Sequence, residues 1–196
     1  FMPADLTAGL EYNRDNLKDD MWGYNRYTKQ TVNIGSAFLQ NEWKNEKWSI
    51  LLGGRLDKHN LINHVIFSPR ANLRFNPSED INLRLSYSSG FRAPQAFDED
   101  LHIENVGGTV SMIERAKNLK EEKSQSFSAS ADMYHRFGAF QVNFLVEGFY
   151  TRLSDVFVLE NIGERDGILI KERRNGSGAK VLGLSMEGKM AYLNKF

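Results

Sequence analysis

The sequence contains no cysteine. Disulfide staples, a zinc–thiolate site and a thiol nucleophile are therefore excluded. A chain without thiols suits passage through an oxidising compartment. Net charge is also missing: 25 Lys and Arg balance 25 Asp and Glu. Nothing in that balance points to nucleic acid as a partner. Absent too is the run of about 20 apolar residues that a membrane helix requires. The mean hydropathy of -0.48 agrees with that absence. It leaves a transmembrane barrel open, because a barrel strand needs only every second residue to be apolar. Residues Phe1 to Asp5 lack the basic and apolar regions of a secretory signal. The expectation is a mature chain, or one cut from a longer protein.

What the sequence does have is a period of two. Phe67, Pro69, Ala71, Leu73 and Phe75 alternate with Ser68, Arg70, Asn72 and Arg74, and Ile81, Leu83, Leu85 and Tyr87 alternate with Asn82, Arg84, Ser86 and Ser88. Such alternation marks strands with one apolar and one polar face. Asn76 to Asp80 between them is tight-turn chemistry. The same pattern recurs over Leu6–Tyr12, Trp48–Leu56, Phe127–Met133, Phe140–Tyr150 and Leu182–Tyr192, and less regularly over Thr31–Trp43. About eight strands are expected, with no convincing helical period.

The connections alternate in length. Trp43 to Trp48, Asn76 to Asp80 and Arg136 to Phe140 read as tight turns. Asn13 to Thr28, Asp57 to Val65, Phe91 to Lys123 and Phe157 to Gly167 read as longer, polar loops. Short turns at one end and long loops at the other are how bacterial outer-membrane barrels are built, the long loops being extracellular. The strand from Ile81 then runs outward. Trp43, Trp48, Phe75, Phe137 and Phe140 gather at the short-turn ends, and Tyr87, Phe91, Phe149, Tyr150 and Phe157 at the long-loop ends. Two aromatic bands of this kind suit two membrane interfaces. A soluble β-sandwich alternates in the same way, so a soluble domain that binds sugar or protein stays open. So does a complete eight-stranded outer-membrane barrel with an adhesion or structural role.

The segment Phe67 to Pro77, followed by Ile81 to Pro94, resembles the barrel of TonB-dependent receptors. The residues that carry the likeness are Ser68-Pro69-Arg70, Leu73-Arg74 and Pro77, then Tyr87 and Gly90-Phe91-Arg92-Ala93-Pro94. Gly53 to Asp57, Glu122-Lys123-Ser124, Phe149 to Val156, and Asn175 with Val181 to Glu187 add weaker matches in the family's order. The resemblance implies an all-β fold: an antiparallel up-and-down transmembrane β-barrel segment, about eight strands of a barrel of about 22. On that basis residues 1–196 are expected to be a partial barrel domain, without the family's plug domain or TonB box. Tyr192 to Phe196 would approach a further periplasmic turn. The implied function is active import of a scarce nutrient across the bacterial outer membrane: an iron–siderophore, haem, cobalamin or a glycan. Implied partners are outer-membrane lipid, the small-molecule nutrient, and the TonB complex acting through the plug. No nucleic acid, cofactor or catalysed reaction is expected.

Candidate ligand-binding residues lie in the long loops. Asp98-Glu99-Asp100-Leu101-His102-Ile103-Glu104 puts four carboxylates and an imidazole within seven residues. Carboxylate oxygens suit Ca²⁺ and His102 suits a transition metal or haem. No established ligand spacing is present, so a solvated acidic loop is the preferred reading and no metal site is assigned. Gly107-Gly108 indicates a shaped turn. Trp22, Tyr24 and Tyr27 can stack on a ring-bearing ligand, or serve as interface aromatics. Arg92 can meet a ligand or pair with loop carboxylates, and Pro94 ends its strand by lacking an N–H. His59 and His64 flank the second loop as a possible metal pair.

Overall fold

The computed structural model describes residues 2–101, 104–106 and 109–192, with backbone alone at 98, 99, 104–106 and 109. The expectations for His102, Gly107-Gly108 and the end of the chain beyond Tyr192 lie outside the described residues.

The eight expected barrel strands form one antiparallel sheet. They are β1 (Ala4–Met21), β2 (Arg26–Lys44), β3 (Trp48–His59), β4 (Ile66–Ser78), β5 (Ile81–Arg92), β8 (Glu122–Phe137), β9 (Phe140–Ser154) and β12 (Ala179–Tyr192). Each pairs with the next in that order. Four further strands lie within the long connections: β6 (Glu104–Val106), β7 (Thr109–Arg115), β10 (Phe157–Arg165) and β11 (Ile168–Asn175). They build a second sheet in the order β10-β11-β7-β6.

Register turns the alternation into two continuous faces. Leu10 sits opposite Ala37, which sits opposite Leu56, and Leu56 faces Phe67. Further along, Leu73 meets Leu85, Leu85 meets Ala129, and Ala129 meets Gly148, which meets Leu184. This apolar face is uncovered: Leu10 is 87% and Leu182 75% exposed. In water such a face would be a liability for aggregation. Against lipid hydrocarbon it is matched, as in a barrel wall. The opposite face is polar and internally bonded. Arg55 pairs with Glu11 at 2.9 Å and Asp57 at 2.8 Å, and Ser36 Oγ donates to Asp57 at 2.6 Å.

Tight turns close the short end. The Asn45 carboxamide oxygen accepts from Lys47 N and Trp48 N at 3.0 and 2.7 Å, and Trp48 stacks on Phe75 with ring centroids 4.1 Å apart. Gly138 takes a φ of 59° in the β8–β9 turn, a conformation that suits glycine. The aromatic band at the other end differs from expectation. Phe149 falls on the polar face and covers Gly183, where an added Cβ would lie 2.6 Å from the ring. Phe91 packs against Ile62, Ile66 and Ala93. Phe157 belongs to the second sheet. Parity along the strand turns Phe149 to the polar side, so of the expected rings Tyr87 and Tyr150 remain in the band, joined by Phe127.

Besides Phe91 to Lys123, which carries β6 and β7, two of the expected loops are structured. Residues Asn13 to Met21 continue β1, paired from Asn13↔Ile34 to Met21↔Arg26, and only a single 3-10 turn, Trp22–Tyr24, separates the strands. The stretch from Phe157 to Gly167 is mostly β10, which makes a hairpin with β11. Asp166 and Gly167 at its tip have φ of 55° and 77°, the pair of positive values that a type I′ turn requires. Buried apolar side chains among the described residues are Val32, Ile62, Ile66, Ala93, Ile113 and Ile170. All lie toward the long-loop end. The core of this piece therefore sits beneath the loops, which is where a site can be held.

Candidate functional site

Two connections that are far apart in sequence are joined at that end. β11 pairs in parallel with β7, from Ile168↔Val110 to Arg173↔Arg115. Asn175 secures the junction: its side chain accepts from Lys120 N at 2.8 Å and donates to Lys120 O at 3.1 Å and Asp155 O at 2.8 Å. The short helix α1 (Asp98–Leu101) then docks on this sheet through Asp100. Asp100 Oδ1 accepts from Arg173 Nε at 2.8 Å and Nη2 at 2.7 Å, and Oδ2 accepts from Phe97 N at 3.0 Å. Both side chains of the ion pair are nearly inaccessible, at 6% and 3% exposed.

Above that pair lies a cavity of about 640 Å³, walled by the start of β2, the loop around Ala96 to Leu101, β7 and the β10–β11 tip. Arginines define its character. Arg26 Nη2 donates to the backbone oxygens of Asp100 and Ile113, whereas its Nη1 is buried without a hydrogen-bond partner. Burial pulls the Arg115 guanidinium below its ordinary range, Asp100 opposes that shift, and Arg26 adds to it. Arg165 at the rim pairs with Glu114 at 2.9 Å, but both are well exposed. Tyr24 and Tyr27 complete one wall. Partly buried cations beside aromatic rings suit an anionic, ring-bearing guest.

The residues singled out by sequence reading meet different fates. Tyr24 and Asp100 line the cavity. Trp22 stands on the hairpin tip, 86% exposed. Asp98 and Glu99 lie on α1 by their backbone, and their side chains, with His102, lie outside the described residues. Arg92 stacks on Phe97, with Cζ 3.8 Å from the ring centroid, and faces Glu122 across the strands. Sequence reading missed Arg26, Arg115 and Arg173. The period-two pattern carried no sign of them, because their common partner is brought in by another loop.

His59 and His64 do not form a pair. His64 Nε2 meets Glu121 at 3.0 Å, and Lys123 reaches the same carboxylate oxygen. Burial of Glu121 would raise its pKa, but its own backbone amide, Lys123 and His64 outweigh burial and hold it low. His59 is fully buried at the end of β3. Its Nδ1 accepts from Leu61 N at 3.0 Å, so the proton sits on Nε2, facing Gln95 Oε1 at 3.4 Å. Burial lowers the His59 pKa, with the Gln95 contact opposing. A depressed histidine pKa means the folded form prefers the neutral ring. Its contribution is whole above the ordinary value near 6.5 and is lost as pH falls through the depressed one. Acidification should therefore release the Leu61 amide. Protection of the Leu61 amide against hydrogen exchange, corrected for the intrinsic rate, should fall as pH drops below the ordinary histidine range, and lose that dependence in His59→Gln.

A family model described as TonB dependent receptor-like, beta-barrel matches residues 2–193. Solved structures with the same fold include the siderophore receptor PirA from Pseudomonas aeruginosa. It is 19% identical with a TM-score of 0.78, over 93% of this chain and 35% of that one. The ferric enterobactin receptor PfeA from Pseudomonas aeruginosa is 18% identical with a TM-score of 0.72, over 94% and 30%. The FrpB iron transporter from Neisseria meningitidis is 15% identical with a TM-score of 0.68, over 94% and 31%. The chain thus spans about a third of the length of these structures. No curated protein matches it in sequence.

Proposed function

Because this chain belongs to the TonB-dependent receptor-like β-barrel family, we propose that it is part of the barrel of an outer-membrane importer whose cargo is an anionic iron chelate. The family is one of receptors and transporters. In this reading the eight-stranded sheet is a portion of the wall, and the joined loops are part of the extracellular vestibule. A plug domain of the family's kind would couple the vestibule to the TonB complex.

The observation that carries the reading is the arginine-lined cavity. A glycan would call for aromatic platforms and neutral hydrogen-bond partners, and a neutral corrin for a larger apolar surface. Arg26 with an unsatisfied Nη1, beside the half-buried Arg115, favours spread negative charge instead. An iron chelate with several phenolate or carboxylate oxygens has that charge and, if aromatic, can stack on Tyr24 and Tyr27. Trp22 stands on the exposed tip of the β1–β2 hairpin, at the cavity's approach rather than its floor. Arg92 supports the floor through Phe97.

Radiolabelled iron uptake by cells carrying or lacking the parent gene tests this. Uptake of iron supplied as a catecholate or carboxylate chelate should require the gene, whereas growth on cobalamin or glycan should not. Gene-dependent growth on a neutral glycan, with iron uptake unchanged, would overturn the cargo assignment.

A further inference from the structure

The wall meets both joined loops at one cross-strand pair. Arg92 ends β5, Glu122 begins β8, and the register sets them directly opposite each other. Parity puts both on the polar side, in line with Arg84, Ser86 and Ser88. Opposite charges in such positions ordinarily attract one another. Here each turns to a different loop. Glu122 Oε2 accepts from Phe157 N at 2.9 Å, at the first residue of β10. The Arg92 guanidinium lies over the Phe97 ring, its Cζ 3.8 Å from that centroid and 5.6 Å from the centroid of Phe157. The two rings touch, with centroids 5.8 Å apart. Phe97 belongs to the β5–β8 connection and Phe157 to the β9–β12 connection. One guanidinium thus bridges the same two loops that β7 and β11 join higher up.

Phe97 carries this contact to the cavity. Arg173 Cζ stands 5.2 Å from the same ring, so two cations share it. The Phe97 amide donates to Asp100 Oδ2 at 3.0 Å, while Asp100 Oδ1 takes the Arg173 fork. The Asp100 amide in turn donates to Phe97 O at 2.9 Å. Just before the ring, Ala96 N donates to Gln30 Oε1 on β2 at 2.8 Å. Ala96 and Asp100 line the cavity, whereas Arg92, Phe97 and Phe157 lie outside it. Any shift of the Phe97 ring therefore moves two lining residues.

We propose that Arg92 is a positioning residue for the cavity: it does not touch the cargo, but fixes Asp100 and the arginines around it through the ring of Phe97. A guanidinium suits this task because its flat face stacks on an aromatic ring, which a rounder, more strongly hydrated ammonium does less well. With Glu122 engaged by the Phe157 amide, the rings are left as the partners of Arg92. A plain wall-top ion pair would hold neither loop. A direct cargo contact would need Arg92 in the cavity wall, where it is not. The inference rests on reading the cavity as the cargo site, and adds to it a residue from outside the cavity.

The test titrates the whole receptor with the ferric complexes of catechol and of citrate, and follows hydrogen exchange in parallel. Arg92→Gln should weaken binding by about tenfold, the scale of a desolvated cation–π contact, and Phe97→Leu by as much. Phe97→Tyr keeps the ring and should bind as the parent does. Arg92→Lys keeps the charge without the flat stack and should recover only part of the loss. Combining Arg92→Gln with Phe97→Leu should be no worse than the weaker single variant, since both remove one contact. Arg115→Gln should flatten the salt dependence of binding, whereas Arg92→Gln should leave it unchanged, because only Arg115 faces the cargo. Exchange at the Phe97 and Asp100 amides should rise in Arg92→Gln with or without chelate, while β4 and β5 keep their protection. Fully additive losses, full recovery by Arg92→Lys, or unaltered exchange at Phe97 would each overturn the proposal. Parent-like binding by Arg92→Gln beside weakened binding by Arg115→Gln refutes this inference alone. If Arg115→Gln also binds like the parent, the cargo reading falls and takes the proposal with it.

Discussion

Replacing Asp100 by Ala should unlock the loop sheet while leaving the barrel wall paired. Asp100 and Arg173 form a buried ion pair at 2.7 Å, and removing one partner of such a pair typically costs about 3–5 kcal/mol. The loss falls on the docking of α1, because Asp100 also accepts from Phe97 N. Hydrogen exchange in β7 and β11 should rise by orders of magnitude, whereas β4, β5 and β8 should keep their protection. By contrast, Arg165→Ala removes an exposed pair with Glu114 and should cost less than about 1 kcal/mol. Equal effects from the two substitutions would mean that the buried pair does not hold the loops together.

Arg115→Gln should weaken binding of an anionic iron chelate by about 10- to 100-fold, corresponding to the worth of hydrogen bonds to a charged group. Arg115 lies in the cavity wall and is partly buried beside Arg26, so its charge is little screened. Arg26→Ala should be at least as damaging, since it also releases the backbone oxygens of Asp100 and Ile113. Trp22→Ala, at an exposed tip, should change affinity only severalfold. Titration of tryptophan fluorescence with the ferric chelate measures all three. An Arg115→Gln variant that binds as well as the parent would remove the cavity from consideration as the ligand site.

The wall was legible in the sequence and the vestibule was not. Phe67 to Phe75 and Ile81 to Tyr87 alternate because one side meets an apolar medium and the other a polar interior, and their register follows that alternation. Where that asymmetry ends, the signal ends too. Asn13 to Met21 remain paired with β2, yet both sides there are polar, so the stretch reads as loop. β11 is held by parallel pairing with β7, a partner that no local pattern announces. The one overlooked local sign was Asp166-Gly167, a dipeptide suited to a two-residue hairpin turn. Within the acidic cluster at Asp98 to Glu104, Asp100 is engaged in a buried ion pair. Its meaning depended on Arg173, 73 residues away, and that distance is why the cluster read as solvated acid rather than as a latch.

The central claim is that this sheet is a membrane wall with Trp22 outside the cell and the β4–β5 turn on the other side. The absence of cysteine makes the claim directly measurable. In the whole receptor, Trp22→Cys and Glu79→Cys would each place one thiol of this chain at an opposite end of the wall. A membrane-impermeant maleimide applied to intact cells should label position 22 and leave position 79 unlabelled until the outer membrane is opened. Labelling of both positions in intact cells, or of neither after opening, would contradict the account.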